Sequence, residues 1–79
     1  MTIEELQRAW KAQPFRPFTL RVVDGREYPV RHPDFLARSP SGRTIMVATL
    51  DDAHEIIDLL MVASIHFEDG KARRRPRRR

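Results

Sequence analysis

The sequence predicts a mainly β domain, in which an N-terminal α-helix precedes a small five-stranded antiparallel barrel. Three observations predict it: a helix-capping motif at the start, an Asp-Gly turn between two β-rich runs, and three further β-rich runs before residue 68. A chain of 79 residues is one domain at most. We expect this domain to span residues 1–69 and a disordered tail to follow at residues 70–79.

The first element is a helix that begins with the capping box Thr2-Ile-Glu-Glu5. In such a box the Thr2 hydroxyl accepts a hydrogen bond from the Glu5 amide, and the Glu5 carboxylate accepts one from the Thr2 amide. Ile3, Leu6 and Trp10 form a narrow apolar stripe, and Gln13-Pro14 ends the helix after about eleven residues. So short a helix is unstable alone. We therefore expect it to dock over the open end of the sheet with Trp10 as its anchor. The alternative is that Trp10 binds a partner or a membrane surface.

The hairpin around Asp24-Gly25 is the best-defined part of the predicted fold. A two-residue loop would place Val22 opposite Glu27 and mix apolar with charged side chains on one face. A three-residue loop at residues 23–25, with Gly25 in the left-handed region, instead pairs Phe18 with Val30 and Leu20 with Tyr28. The sequence therefore predicts the three-residue loop, with Arg21 paired to Glu27 on the opposite face.

Three later runs are predicted strands, at residues 44–50, 54–57 and 62–67. The first of them is apolar on both faces, which predicts a central strand covered on both sides. A type I turn at residues 39–42 precedes it, after an irregular or 3₁₀ piece at Phe35-Leu36. Asp58 is expected to cap a single helical turn before the last strand, in which Ala63, Ile65 and Phe67 face the core. One continuous helix from His54 to Ile65 is the competing interpretation.

The charge is divided unevenly along the chain. Residues 71–79 hold seven of the fifteen basic side chains and none of the eleven acidic ones, so residues 1–70 carry eight basic and eleven acidic groups, a net charge of −3. The cationic tail has no apolar side chain larger than alanine and cannot form a core. We expect it to bind the phosphates of RNA or DNA, with seven candidate nucleic-acid-binding residues: Lys71, Arg73, Arg74, Arg75, Arg77, Arg78 and Arg79. A solvated tail and a tail that docks on an acidic protein are the alternatives.

No residue set in the sequence amounts to a catalytic site. His32, His54 and His66 have no metal-ligand spacing, and the cluster Asp51-Asp52 with His54-Glu55 is typical of a solvated turn. There is no glycine-rich phosphate loop and no serine with a paired base. We therefore expect a protein that is not an enzyme, with no cofactor, no metal and no small-molecule substrate.

A basic face on the barrel is a further candidate for nucleic-acid binding. Five arginines that recur along the predicted strands would form it: Arg16, Arg21, Arg31, Arg38 and Arg43. Glu27 and Asp34 would neutralise part of its charge.

The absence of cysteine excludes disulfides and thiolate metal sites, so self-association is the expected source of additional buried surface. The sequence contains no run of about 18 apolar residues, so it predicts no membrane span, and its first residues lack the pattern of a signal peptide. We therefore expect a cytoplasmic homo-oligomer that does not bind membranes.

The order of elements resembles the Sm-like family, Hfq-type proteins included, and its SH3-like barrel. Phe18–Gly25 is similar to the start of that family's first motif, and Glu55–Phe67 to its closing strand, turn and strand. The resemblance implies a five-stranded barrel and rings formed by pairing strands four and five across subunits. It implies no pocket residues here, because Val30 replaces the family's second glycine and no asparagine follows Asp34.

The chain also resembles a group of small bacterial proteins that have no assigned activity. Three phrases carry this resemblance: Gln13-Pro-Phe-Arg-Pro-Phe18, His32-Pro-Asp-Phe-Leu36 and Ser39-Pro-Ser-Gly-Arg43. It implies a family but no function.

Overall fold

The computed structural model of this chain describes residues 1–49 and 51–68. One α-helix, α1 (Ile3–Trp10), precedes six strands: β1 (Phe18–Val22), β2 (Glu27–Val30), β3 (Leu36–Arg38), β4 (Thr44–Ala48), β5 (His54–Asp58) and β6 (Val62–Phe67). Two 3₁₀ turns, Pro33–Phe35 and Leu59–Met61, precede β3 and β6. The predicted helix followed by a mainly β domain is confirmed.

The strands form two three-stranded antiparallel sheets rather than one closed sheet. The first sheet has the order β2-β1-β6 and the second the order β3-β4-β5. The prediction of five strands is one too few, because the chain becomes extended again at Leu36 and β3 pairs with β4. Among the described residues, no pairing closes the two sheets into a barrel.

The β1–β2 hairpin has the predicted register. Phe18 pairs with Val30, Leu20 with Tyr28 and Arg21 with Glu27. The loop closes through the Gly25 amide, which donates to the Val22 carbonyl at 2.8 Å, and Gly25 has a φ of 95°. The three-residue loop with glycine in the left-handed region is therefore confirmed.

The core lies between the two sheets and under the helix. β1 and β4 are the central strands, and each presents alternate side chains to this core. Seven side chains of the core, from the helix and both sheets, are almost completely inaccessible to solvent: Phe18, Leu6, Leu20, Ile45, Val30, Val47 and Val62. Burying one such aliphatic or aromatic side chain contributes about 1.5–3 kcal/mol relative to leaving it exposed, so the core favours folding although the chain is small.

Helix α1 begins at the predicted capping box and is shorter than predicted. The Thr2 hydroxyl accepts from the Glu5 amide at 3.2 Å, and the Glu5 carboxylate accepts from the Thr2 amide at 2.9 Å. The helix ends at Trp10. Leu6 is its only fully buried residue, whereas Trp10 is half-buried and donates its indole N–H to the Pro33 carbonyl at 3.0 Å. The helix therefore docks as predicted, with Leu6 rather than Trp10 at the centre of the contact.

The later strands confirm the predicted order and correct two of its details. β5, the turn capped by Asp58 and β6 lie where they were predicted, so the continuous helix is excluded. β4 is central, but it is buried on one side only, because Thr44, Met46 and Ala48 lie on the outer face. Ala63 is exposed, because the β1–β6 register shifts beside Val22 and brings Val62 into the core.

Two glycines provide a matched test of backbone strain. Gly25 and Gly42 both have a positive φ, of 95° and 78°. A Cβ on Gly25 would meet nothing within 4 Å, whereas one on Gly42 would lie 3.1 Å from Cγ1 of Ile3. We expect Gly25→Ala to lower the free energy of unfolding by about 1–2 kcal/mol and Gly42→Ala to lower it more, because the Ile3 side chain must also move. Urea denaturation measures both; equal losses would contradict the close approach of Gly42 to the helix.

The capping box predicts a dependence of stability on pH. The backbone and side-chain hydrogen bonds of Thr2 lower the pKa of the Glu5 carboxyl. A carboxyl with a lowered pKa stabilises the fold above its unfolded pKa, and this contribution is lost as the pH falls through the folded pKa. We expect the wild type to lose more stability than Glu5→Gln when the pH falls from about 6 to about 3. Urea denaturation at both pH values measures this, and parallel losses would contradict the capping role.

Candidate nucleic-acid interface

The seven predicted nucleic-acid-binding residues, Lys71, Arg73, Arg74, Arg75, Arg77, Arg78 and Arg79, lie outside the described residues. The predicted tail at residues 70–79 and the boundary at residue 69 lie outside them as well. The structure describes the chain as far as residue 68. That residue directly follows β6.

The end of β6 is held firmly by the first sheet. Phe67 pairs with the fully buried Phe18, and their ring centres lie 6.1 Å apart with the planes nearly perpendicular. One residue later, the Glu68 amide donates to the Pro17 carbonyl at 2.9 Å. The chain therefore continues beyond residue 68 from a defined position on the sheet.

Two arginines and one aromatic ring surround this position. We call Arg16, Arg31, Phe67 and Glu68 the exit surface. The guanidinium carbon of Arg16 lies 4.5 Å from the ring centre of Phe67, which is a cation–π contact on a ring that remains 42% exposed. Nη1 of Arg31 lies 3.8 Å from Oε1 of Glu68, and half of the Arg31 side chain is exposed. Both guanidinium groups thus lie close to Phe67 and Glu68, the last two described residues.

Phosphate contact at the exit surface is chemically reasonable. A half-exposed guanidinium can donate to phosphate oxygens in a bidentate manner, and its planar group can stack on a nucleobase. The partly exposed Phe67 ring offers an additional apolar face for stacking. Glu68 reduces the local positive charge, so the exit surface is a weak anion site unless the residues that follow it contribute.

The arginines of the predicted basic face do not form one surface. Arg16, Arg21 and Arg31 lie along the first sheet, whereas Arg38 lies on β3 and Arg43 immediately before β4 in the second sheet. The predicted face is therefore divided between two sheets.

Acidic partners also engage the arginines at the hairpin. Nη2 of Arg21 lies 2.7 Å from Oε2 of Glu27, as predicted. Nε of Arg26 lies 2.7 Å from Oδ2 of Asp24, and the Arg26 backbone amide and side chain lower the pKa of that carboxyl. Oδ2 of Asp34 lies 3.7 Å from Nδ1 of His32, and Asp34 forms no ion pair with an arginine of the described residues.

The three histidines lie on different parts of the fold. Nδ1 of His32 accepts from the Asp34 amide at 3.1 Å and caps the first 3₁₀ turn. His66 lies within 3.0 Å of the Ser64 hydroxyl on β6, and His54 is the first residue of β5. Residues 1–49 and 51–68 contain no cluster of three potential metal ligands.

The acidic turn before β5 uses its polar groups to hold the backbone. The Thr49 hydroxyl shares its proton between two acceptors, the Asp51 carboxylate and the Ala53 carbonyl oxygen, which lies 3.1 Å away. The hydroxyl of Thr49, followed by the Ala53 amide, lowers the pKa of Asp51. A carboxylate held in its ionised form by such bonds is a poor proton acceptor near neutral pH. These contacts give Asp51 a structural role in the turn.

The structure also reveals an exposed apolar row that sequence reasoning missed. Ala37, Met46 and Ile56 are cross-strand neighbours on the outer face of the second sheet, and Ile56 is 71% exposed. They line part of a hollow of about 190 Å³. The alternation of His54, Ile56 and Asp58 was the available signal, because it places Ile56 between polar residues on one face of an edge strand.

A second group of exposed apolar side chains lies at the hairpin loop and the adjacent 3₁₀ turn. Val23, Leu60 and Met61 are 63%, 69% and 47% exposed. The Val23 amide donates to the Met61 carbonyl at 2.9 Å, which holds the loop against the turn. This group is separate from the exit surface, because it lies at the opposite end of β1.

None of the helices within the described residues has the length and apolar character needed to cross a bilayer. Comparisons with protein-family models, with curated proteins and with solved structures gave no match. The small mainly β domain with an N-terminal helix is therefore established by the structure alone, and the resemblance to Sm-like proteins stays a prediction.

Proposed function

We propose that this chain is a non-catalytic nucleic-acid-binding protein that most readily binds RNA, acts through its basic segment at residues 71–79, and self-associates. The observation that carries the proposal is the charge division: seven cations in nine residues follow a domain with a net charge of −3. Such a segment displaces counterions from phosphates and binds without sequence preference. Its partners are RNA or DNA and further copies of the chain.

The exit surface supports this proposal. Arg16 and Arg31 lie beside the last described residues, and Phe67 presents a partly exposed ring there. A strand bound by the basic segment would pass close to these groups. They would add two phosphate contacts and one stacking face to an otherwise purely electrostatic interaction.

A small antiparallel barrel of the Sm-like type belongs to the same proposal. β2 and β3 are separated only by residues 31–35, which include a single 3₁₀ turn, and β2 contacts β4 of the other sheet. If β2 and β3 act as one bent strand, the six strands correspond to the five of the predicted barrel. The second 3₁₀ turn, between β5 and β6, supports this correspondence.

A protein-interaction module is the second candidate function. The exposed apolar side chains of Ile56, Leu60 and Val23 favour it, because each is more than 60% exposed. In that case the basic segment would be incidental. A protein partner that remains bound to the immobilised chain after nuclease treatment would favour this function over nucleic-acid binding.

Removal of the basic segment tests the main proposal. We expect the full chain to bind a single-stranded RNA of about 20 nucleotides with a slope of log K against log salt of about −6, since the seven cations of the segment and the two arginines of the exit surface each contribute about −0.7. A chain that ends at Gly70 should lose most of this slope and most of its affinity. Fluorescence anisotropy at several salt concentrations measures both. Unchanged affinity after truncation would contradict the proposal.

Single arginine variants test the exit surface. We expect Arg16→Ala in the full chain to reduce the magnitude of the salt slope by about 0.7 and to weaken binding equally for all sequences. Arg26→Ala is the matched control, because this arginine is paired with Asp24 at the hairpin loop, away from the exit surface. The exit surface has no part in binding if both variants behave alike.

A further inference from the structure

The strand β5 is an open edge of the second sheet. It pairs with β4 on one side, and no strand among the described residues lies on its other side. Its central residue, Ile56, is the most exposed large apolar side chain in the described part of the chain, at 71%. An edge with an exposed isoleucine at its centre is suited to pairing with another strand.

The hydrogen-bond pattern shows which groups of β5 face the open edge. The Thr49 amide donates to the Ala53 carbonyl at 2.8 Å, and the Leu59 amide donates to the Arg43 carbonyl at 2.7 Å. Bonded pairs alternate along an antiparallel ladder, so residues 55 and 57 bond to β4. His54, Ile56 and Asp58 therefore direct their amides and carbonyls toward the open edge.

We propose that a second copy of this chain pairs with this edge, β5 against β5, antiparallel about a twofold axis at Ile56. In this register Ile56 lies opposite Ile56 of the second copy, and His54 lies opposite Asp58 of the second copy. Each of these pairs exchanges two backbone hydrogen bonds. A slip of two residues would place His54 opposite Ile56 of the second copy and leave Asp58 without a partner in β5, so the centred register is the one that uses all three outward-facing residues.

The side chains are complementary in the same register. On the outer face, the imidazole of each His54 meets the carboxylate of Asp58 of the second copy, and the two isoleucines meet on the axis. The apolar row of Ala37, Met46 and Ile56 then continues into the same row of the second copy. The result is a six-stranded sheet in which the two Ile56 side chains partly cover each other and opposite polar groups are paired.

The other three edges are less suited to this pairing. β2 contains Pro29, whose backbone faces the open edge of the first sheet in the β1–β2 hydrogen-bond pattern. Because proline has no N–H, this edge lacks one donor for a further strand. β3 has only three residues. β6 carries a register shift beside Ala63, and such bulges interrupt regular edge pairing. β5 is the regular edge with its outward-facing amides intact.

This inference rests on the self-association in the proposed function and gives it a surface, and it does not depend on nucleic-acid binding. It also differs from the ring that the Sm-like resemblance implies, in which β5 of one copy would meet β6 of the next. In the twofold pairing the two Ile56 positions are adjacent. In a ring they are separated by a whole subunit.

Cysteine cross-linking tests the twofold pairing directly, because the chain contains no cysteine. Directly opposite residues of a bonded antiparallel pair have Cα atoms about 5.5 Å apart, within the range of about 4.4–6.8 Å for disulfides. We expect Ile56→Cys, in the full chain after nuclease treatment and at high salt, to form a covalent dimer on mild oxidation. Val23→Cys is the control, since Val23 is similarly exposed at the hairpin loop and should stay monomeric on a non-reducing gel.

Charge variants at one position test the polar pair. By light scattering after gel filtration, we expect wild type and His54→Lys to have the mass of two chains and His54→Glu to have the mass of one, because the introduced carboxylate would face Asp58 of the second copy. Ile56→Lys should also be a monomer, and Val23→Lys should remain a dimer. A monomeric wild type, a larger assembly without an Ile56→Cys cross-link, or equal masses for the two His54 variants would overturn the proposal. None of these outcomes would alter the RNA titration, so the twofold pairing and nucleic-acid binding can fail separately.

Discussion

The rest of the fold depends on the burial of one side of β1. Phe18, Leu20 and Val22 are at most 3% exposed, and within residues 1–49 and 51–68 β1 is the only strand of the first sheet that pairs on both sides. A shift of its register by one residue would turn these three side chains to solvent. The hairpin loop prevents this shift on the side of β2, since Gly25 fixes the pairing. A local turn therefore fixes which side chains of β1 face the core in its pairing with β2.

The N-terminal residues and helix α1 contact several of the segments around β1. The amino terminus of Met1 lies 3.4 Å from the Val62 carbonyl of β6, Ile3 approaches Gly42 beside β4, and Trp10 reaches Pro33 between β2 and β3. The first ten residues thus contact β6 of the first sheet and the connections that lead into β3 and β4 of the second. In a chain this small, such a contact replaces the additional layer that a larger domain would use to cover its core.

Local signals in the sequence predicted most of this fold, and the errors lie where distant pairing decides the outcome. The capping box, the hairpin register and the limits of β6 follow from neighbouring residues. The exposure of Ala63 follows from a register shift between β1 and β6, which no local pattern encodes. The prediction that β4 is covered on both sides is wrong for a related reason. Met46 looks like a core residue by composition, but no element of the described chain covers that side of the sheet.

The candidate site divides in the same way. The concentration of basic residues at 71–79 is readable from composition alone, whereas the placement of Arg16 over Phe67 requires the pairing of β1 with β6. The open edge of β5 could not be found from sequence either, since it depends on which of its two sides β4 occupies. These two features lie on different sheets, with the exit surface on the first and the β5 edge on the second. Pairing through β5 would therefore leave both exit surfaces free, and two basic segments on one dimer could bind the same strand. A second segment held near the strand by the first binds at a high effective concentration, so modest affinity for each segment would be enough.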